Sequence, residues 1–174
     1  MENQRKPITY IALVIVAVVA GYLIYDNFIA SDPSNEIGIQ EGNQILDQTI
    51  PNVDGSGSVS FSDYRGSVLV IDFMAPWCPP CKVQFPVLSV VESIEGVEVL
   101  TINVDQSYDM ESLMSFGEEE GITWFFGHSP ATALEFEVTG IPTVLVVDQE
   151  GKIVNRAFFT TIQDFEDILT PLID

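Results

Sequence analysis

The run Ser67 to Met74, SVLVIDFM, is almost unbroken in apolar and largely β-branched residues. A strand with one wet face alternates polar and apolar residues, so a run without that alternation requires a sheet covered on both sides. VEVLTINVD (Val97 to Asp105) and TVLVVD (Thr143 to Asp148) have the same character. IVNRAFF (Ile153 to Phe159) follows the turn Gln149-Glu150-Gly151 and is expected to form a hairpin with TVLVVD. Helical patterns lie between or after these runs, at Pro80 to Ile94, Met110 to Glu120, Ala131 to Phe136 and Ile162 to Ile173, the last capped by Thr160 or Thr161. Strands alternating with helices predict an α/β sandwich whose sheet is mainly parallel, with an antiparallel hairpin at one edge. Ahead of it, Ile45 to Val53 and Val59 to Phe61 flank Asp54-Gly55-Ser56-Gly57, the signature of a further, N-terminal β-hairpin.

The 174-residue length suits one such domain and a short appendage. That appendage is ITYIALVIVAVVAGYLIY, Ile8 to Tyr25, 18 residues without a charge. As a helix it spans about 27 Å, enough for one membrane crossing. Arg5 and Lys6 precede it and Asp26 and Asp32 follow, so the positive-inside rule predicts residues 1–7 in the cytoplasm, a transmembrane anchor over 8–25 and the remainder outside the cytoplasm. A cleaved signal peptide is the competing reading, but the run exceeds the usual apolar region of such peptides. Residues 26–43, with Pro33, Gly38, Gly42 and several acids, read as a tether, leaving 44–174 as the folded domain.

From Ser31 onward there are 24 acids and only four bases, Arg65, Lys82, Lys152 and Arg156. The chain's net charge is −20, and with no basic patch there is nothing to neutralise phosphates, which excludes a nucleic-acid partner. High-salt adaptation and plain solubility are equally good accounts of the acidity.

The chain's two cysteines form the motif Cys78-Pro79-Pro80-Cys81 between a buried strand and a helix. A helix N-terminus carries about half a positive charge and unpaired N–H groups, so a thiolate at that point is stabilised. Cys78, at the cap, is therefore expected to attack, and Cys81, one turn on, to resolve the mixed disulfide. Pro79 and Pro80 suit the first helical turn, where a missing N–H costs nothing. A metal site would need two more ligands, but His128 is the sole histidine and no second Cys-x-x-Cys exists, so no metal is expected.

At these residues the chain resembles the thioredoxin superfamily, and in detail its membrane-anchored, extracytoplasmic TlpA/ResA-like branch. FMAPWCPPCKVQFP (Phe73 to Pro86) is similar to the active-site segment, TGIPTVLVVDQEGKIV (Thr139 to Val154) to the stretch carrying a cis-proline, and LDQTIPNVDGSGSVSFSDYRGSVLVIDF to the N-terminal hairpin and first long strand. Tyr108 to Pro130 looks like the helix and strand that separate this branch from plain thioredoxin. The resemblance implies a thioredoxin-like fold with that N-terminal hairpin and insertion, and no cofactor. It also implies roles. Pro142 would be the cis-proline facing the sulfurs, with the Ile141 backbone left to pair with a substrate strand; Trp77 would wall the site alongside Pro79 and Pro80. Pro86 would kink the active-site helix, and Asp72 would be the buried acid that trades a proton with Cys81.

The pattern is departed from in two places: Met74 stands where the family commonly has tryptophan, and Thr101 where plain thioredoxin has a lysine facing the buried acid. Without that ammonium, burial is expected to push the Asp72 pKa up. Lys82 reads as a helix-surface lysine, Glu118-Glu119-Glu120 as a solvated helix end, and His128 as a surface or loop histidine. The function expected is a membrane-anchored extracytoplasmic thiol-disulfide oxidoreductase. It would reduce exported proteins, with cytochrome c maturation the role the branch suggests, and would exchange electrons with a membrane donor or acceptor. A DsbA-type oxidase is the alternative, disfavoured by Ile141 before Pro142 and by the lack of a large helical insertion. A peroxidase would need a hydroxyl residue in Ala75-Pro76-Trp77, and a copper-delivery protein would space its cysteines more widely.

Overall fold

In the computed structural model, which describes residues 5–28 and 36–173, seven consecutive buried residues form the central strand. In chain order the elements are α1 (Arg5–Phe28), β1 (Ile37–Gly38), β2 (Gln44–Ile45), β3 (Thr49–Pro51), β4 (Ser58–Ser60), a 3-10 turn Phe61–Tyr64, β5 (Val68–Met74), α2 (Pro79–Glu92), β6 (Val97–Asn103), α3 (Met110–Glu120), β7 (Phe125–His128), α4 (Pro130–Glu135), β8 (Thr143–Val147), β9 (Ile153–Ala157) and α5 (Ile162–Ile173). The main sheet has the order β7-β6-β5-β8-β9. β5, β6 and β7 run parallel, while β8 is antiparallel to β5 and β9 to β8. This is the mixed α/β thioredoxin-like sheet, with the edge hairpin where the turn at Gly151 puts it.

Although β5 is continuously apolar, its side chains still divide by parity between two cores. Val68, Val70 and Met74 pack with Phe85, Leu88 and Val91 of α2 and with Phe165 and Leu169 of α5. Leu69, Ile71 and Phe73 pack on the other side with Phe61 and Phe136. Phe136 meets Phe61 edge-on at 5.8 Å and Phe73 at the same centroid separation. The N-terminal hairpin pairs Thr49 with Ser60 and Pro51 with Ser58, and inserts Ile50 into the second core.

Element ends differ from the sequence expectation by a residue or two, as fraying ends do. Two differences are larger. The tether expected over 26–43 does not reach Gln44, because the compact unit begins at Ile37. Ile37 pairs with Gln44 in β1–β2, Gly42 N–H donates to the Ile153 carbonyl at 2.8 Å, and Arg156 Nη1 donates to the Ile39 carbonyl at 3.0 Å. Backbone bonds to β9 and the packing of Ile39 against the second core thus hold this segment; of the rest of the expected tether, 26–28 belong to α1 and 29–35 lie outside the described residues. The second difference is His128, which belongs to β7 rather than to a loop.

The expected span 8–25 falls within α1, itself a separate unit. Among the described residues no helix is long and apolar enough to cross a membrane.

Candidate active site

The C-terminal end of β5 leads through Ala75-Pro76-Trp77 into α2, and the cysteines sit at that junction. Cys78 is the N-cap of α2 in extended conformation, with Pro79 and Pro80 in the first turn. Cys78 N–H donates to the Ala75 carbonyl at 3.0 Å, closing the turn. Cys78 and Cys81 form a disulfide with Cα atoms 5.3 Å apart, and the Cys81 N–H points at Cys78 Sγ, 3.2 Å away. Cys81 is wholly buried and Cys78 is 2% exposed. In the dithiol form the same amide and the helix dipole favour a negative charge on the Cys78 sulfur, and Cys81 lies where it can attack that sulfur.

Asp72 is fully buried in β5, two residues from Val70 and Met74, and so on the face that α2 covers and into which Cys81 is packed. Its cross-strand partners are Thr101 and Val144. Thr101 Oγ1 donates to Asp72 Oδ2 over 3.4 Å, while Oδ1 has no hydrogen-bond partner among the described residues. Burial raises its pKa to about 7, opposed only by the Thr101 hydroxyl. Trp124 completes the surroundings by donating its indole N–H to Thr101 Oγ1 at 2.9 Å. A threonine held by an indole thus stands where an ammonium would have kept the acid ionised. Trp124 carried no sequence signal beyond its place in an apolar run.

The Ile141–Pro142 peptide is cis. Thr143, the next residue, pairs with Phe73, so register alone sets Pro142 beside the end of β5 from which the cysteine turn departs. Thr143 Oγ1 donates to the Gly140 carbonyl at 2.6 Å, tying the segment down. Pro142 is buried and Ile141 half-buried.

Trp77 is 60% exposed, a wall standing in solvent, but it is anchored by its indole N–H, which donates to Asp105 Oδ2 at 2.6 Å. Asp105 in turn accepts from the Ser107 hydroxyl and amide, and these donors, then Trp77 and the His128 ring, hold its carboxyl below the usual range. Asn103 links the two neighbours: its Nδ2 donates to the Asp105 carbonyl and lies 2.9 Å from His128 Nδ1. His128 is therefore a half-buried partner of Asn103 across β6 and β7, not a loose surface group. A lone histidine in a four-residue strand carries no spacing signal, which is why sequence reasoning missed it. Lys82 pairs with Glu120 and lies 5.1 Å over the Phe116 ring. Glu120 is thus a partner rather than part of a solvated end. Pro86 lies inside α2, which continues past it to Glu92. Among the described residues no group of three or more His, Cys, Asp or Glu is placed to hold a metal.

Residues 42–156, from the N-terminal segment through the cysteine turn and the cis-proline to β9, match the model of the AhpC/TSA family. The chain belongs to the AhpC/TSA family. Within it, the chain is similar to the thiol-disulfide oxidoreductase ResA of Geobacillus kaustophilus, 26% identical with 97% of this chain and 95% of that protein covered. It is also similar to ResA of Bacillus subtilis, at 24% identity over 98% and 97%. Among solved structures, a thiol:disulfide interchange protein DsbE from Chlorobium tepidum superposes with a TM-score of 0.66 at 26% identity, covering 76% of this chain and 95% of that one. A thioredoxin domain from Bacteroides vulgatus gives 0.69 at 21%, covering 79% and 100%. A cysteine pair at a helix N-terminus, in this member of the AhpC/TSA family, makes the chain a thiol-disulfide oxidoreductase of the ResA/DsbE type.

Proposed function

We propose that this chain is a membrane-anchored, extracytoplasmic reductase of disulfides in exported proteins, with the cysteines of apocytochromes c among its targets. The observation that carries the chemistry is the buried Asp72 carboxyl, unpaired at one oxygen, on the sheet face beneath the helix that bears both sulfurs. In the dithiol form the Cys78 thiolate attacks one sulfur of the substrate disulfide, and the other leaves as a thiolate that takes a proton from water. Asp72 accepts the Cys81 proton; the Cys81 thiolate then attacks Cys78 Sγ, breaking the mixed disulfide, expelling the second substrate sulfur as a thiolate that takes a proton from water, and closing the Cys78–Cys81 disulfide, after which Asp72 returns its proton to solvent. Two electrons pass to the substrate, and a membrane thiol donor returns the pair to the dithiol. Pro142 and Ile141 line the strand on which substrate backbone pairs, and Trp77, Pro79 and Pro80 form its rim.

The anchor rests on the charge-free stretch of α1 with basic residues before it and acidic ones after it. A reporter fused after Asp174 is expected to register outside the cytoplasm, and a cytoplasmic signal overturns the compartment. The reducing direction is tested by the potential of the Cys78–Cys81 couple: about −250 mV or lower supports the reductase, and about −120 mV the oxidase.

A further inference from the structure

A second concave site lies between the end of β9 and α5, bordered by Asn155, Phe159, Thr160, Asp164, Asp167 and Ile168. Its polar groups are predominantly acceptors. Thr160 is 1% exposed, yet its Oγ1 has no hydrogen-bond partner among the described residues, and neither does the buried Asn155 Oδ1. Asp164 spends Oδ2 on the Thr161 amide and hydroxyl, which hold its carboxyl below the usual range, and Asp167 receives Gln163 Nε2 at 3.2 Å on Oδ1. The other oxygen of each carboxylate makes no bond among the described residues. No base of the described chain answers these charges: its one ion pair is Lys82–Glu120, and the Arg156 guanidinium is bonded to the carbonyls of Ile39, Phe136 and Glu137. The remaining wall is apolar, made by Phe159 and Ile168.

Free carboxylate oxygens and apolar side chains in one cleft describe an alkylammonium better than a bare cation, which would need oxygens on all sides. The cleft is also coupled to the cysteine helix. Gln84, one turn beyond Cys81, grips Thr160 through two bonds, Nε2 to the Thr160 carbonyl at 2.8 Å and the Thr160 amide to Oε1 at 3.1 Å. Ala157, at the end of β9, pairs with Val144, two residues past Pro142.

We propose that this cleft receives a lysine side chain of the polypeptide being reduced, its ammonium at the free carboxylate oxygens of Asp164 and Asp167 and its stem along Phe159 and Ile168. The proposal rests on the reductase reading and adds a substrate class to it: chains with a lysine at a set distance from the disulfide. The test uses the reduced full-length chain in detergent and disulfide-linked peptides in which a lysine is moved stepwise away from the reactive cysteine, each matched by a norleucine peptide. At one or two spacings lysine is expected to raise kcat/KM about fivefold over norleucine, and in Asp167→Asn that ratio drops below about twofold. General attraction to an acidic protein would favour lysine at every spacing alike, so a position-independent advantage, no advantage, or a ratio untouched by Asp167→Asn overturns the cleft. The same peptides with serine for cysteine, followed through the amide resonances of Phe159 and Thr160, read the cleft without turnover. Shifts with lysine but not norleucine uphold it even if no peptide is reduced, an outcome that would sink only the reductase reading; absence of shifts overturns it. Calcium chloride that raises the unfolding temperature of the parent, but not of Asp167→Asn, makes the cleft a metal site and overturns the proposal as well.

Discussion

Asp72 and Asp105 lie on either side of the cysteine turn, one in the strand that leads into it and one in the loop that anchors Trp77, and their environments drive them in opposite directions. Asp72 is sealed beneath α2 with one weak donor, and its pKa rises to about 7. Asp105 is solvated and receives three donors, two from Ser107 and one from Trp77, and its pKa falls. The same side chain is thus a proton carrier in one place and a permanent anion in the other. Desolvation outweighs a single long hydrogen bond, whereas several donors outweigh slight burial. The interior acid is built to change charge during turnover and the rim acid to hold an indole still.

The largest effects should come from the sulfurs that both acids serve. Cys81→Ser leaves an attacking thiol with no resolving partner, so mixed disulfides accumulate and can be captured by non-reducing electrophoresis; Cys78→Ser should trap nothing. If both variants capture partners equally, the two sulfurs have been assigned in reverse.

Asp72→Asn comes next and removes the interior acid. The folded-state pKa of Asp72 is raised above the unfolded value of 3.8, so the folded protein binds the extra proton between about pH 4 and 7 and loses stability as pH climbs through that window. Roughly three pH units at 1.36 kcal/mol each give a penalty of about 4 kcal/mol that is fully present above pH 7. The asparagine variant is expected to lack this slope and to be the more stable protein at pH 8, while resolving mixed disulfides about a hundredfold more slowly. Denaturant unfolding at pH 5 and pH 8, with single-turnover reduction, checks both. A variant that is less stable at pH 8, or that resolves at the parental rate, refutes the buried base.

Thr101→Val sharpens the same contrast more gently. It removes the one donor to Asp72 and leaves the Trp124 indole without its acceptor, at a cost of about 1–3 kcal/mol. The pH dependence of the resolution step should shift upward, and an unchanged profile would show that Thr101 does not tune the acid. The smallest effect belongs to the rim: Asp105→Asn should alter Trp77 fluorescence and its dependence on pH, yet change turnover on a small disulfide less than about twofold. A loss comparable with that of Asp72→Asn would mean that the rim acid takes part in proton transfer.

The cysteine motif, the three interior strands and the helix that follows the motif were legible because each rests on local chemistry: apolar β-branched runs, prolines in a first turn, and two thiols one helical turn apart. Asp72 was legible in part, since an acid flanked by Val70, Ile71 and Phe73 has to be buried. Its neighbour Trp124, the Asn103–His128 pair and the docking of residues 37–43 on β9 were not. Each is a contact between segments far apart in the chain, made by residues whose own surroundings in sequence are unremarkable. Lys82, adjacent to Cys81 in sequence, was legible as a helix-surface lysine; only its Glu120 partner came from a distant segment.

The alternation of strands and helices and the redox pair at a helix start are both consequences of nearest-neighbour pattern. Local pattern could not place the groups that face the pair; the family resemblance anticipated Asp72, Thr101 and Pro142, and strand register supplies the physical reason for them. Parallel register between β5 and β6 puts Thr101 rather than a cation against Asp72, and the return of β8 puts Pro142 beside the cysteine turn. A proton's affinity for a carboxyl depends on the water and donors within a few ångströms, and in this protein those are supplied by strands 29 and 72 residues away, Thr101 and Val144.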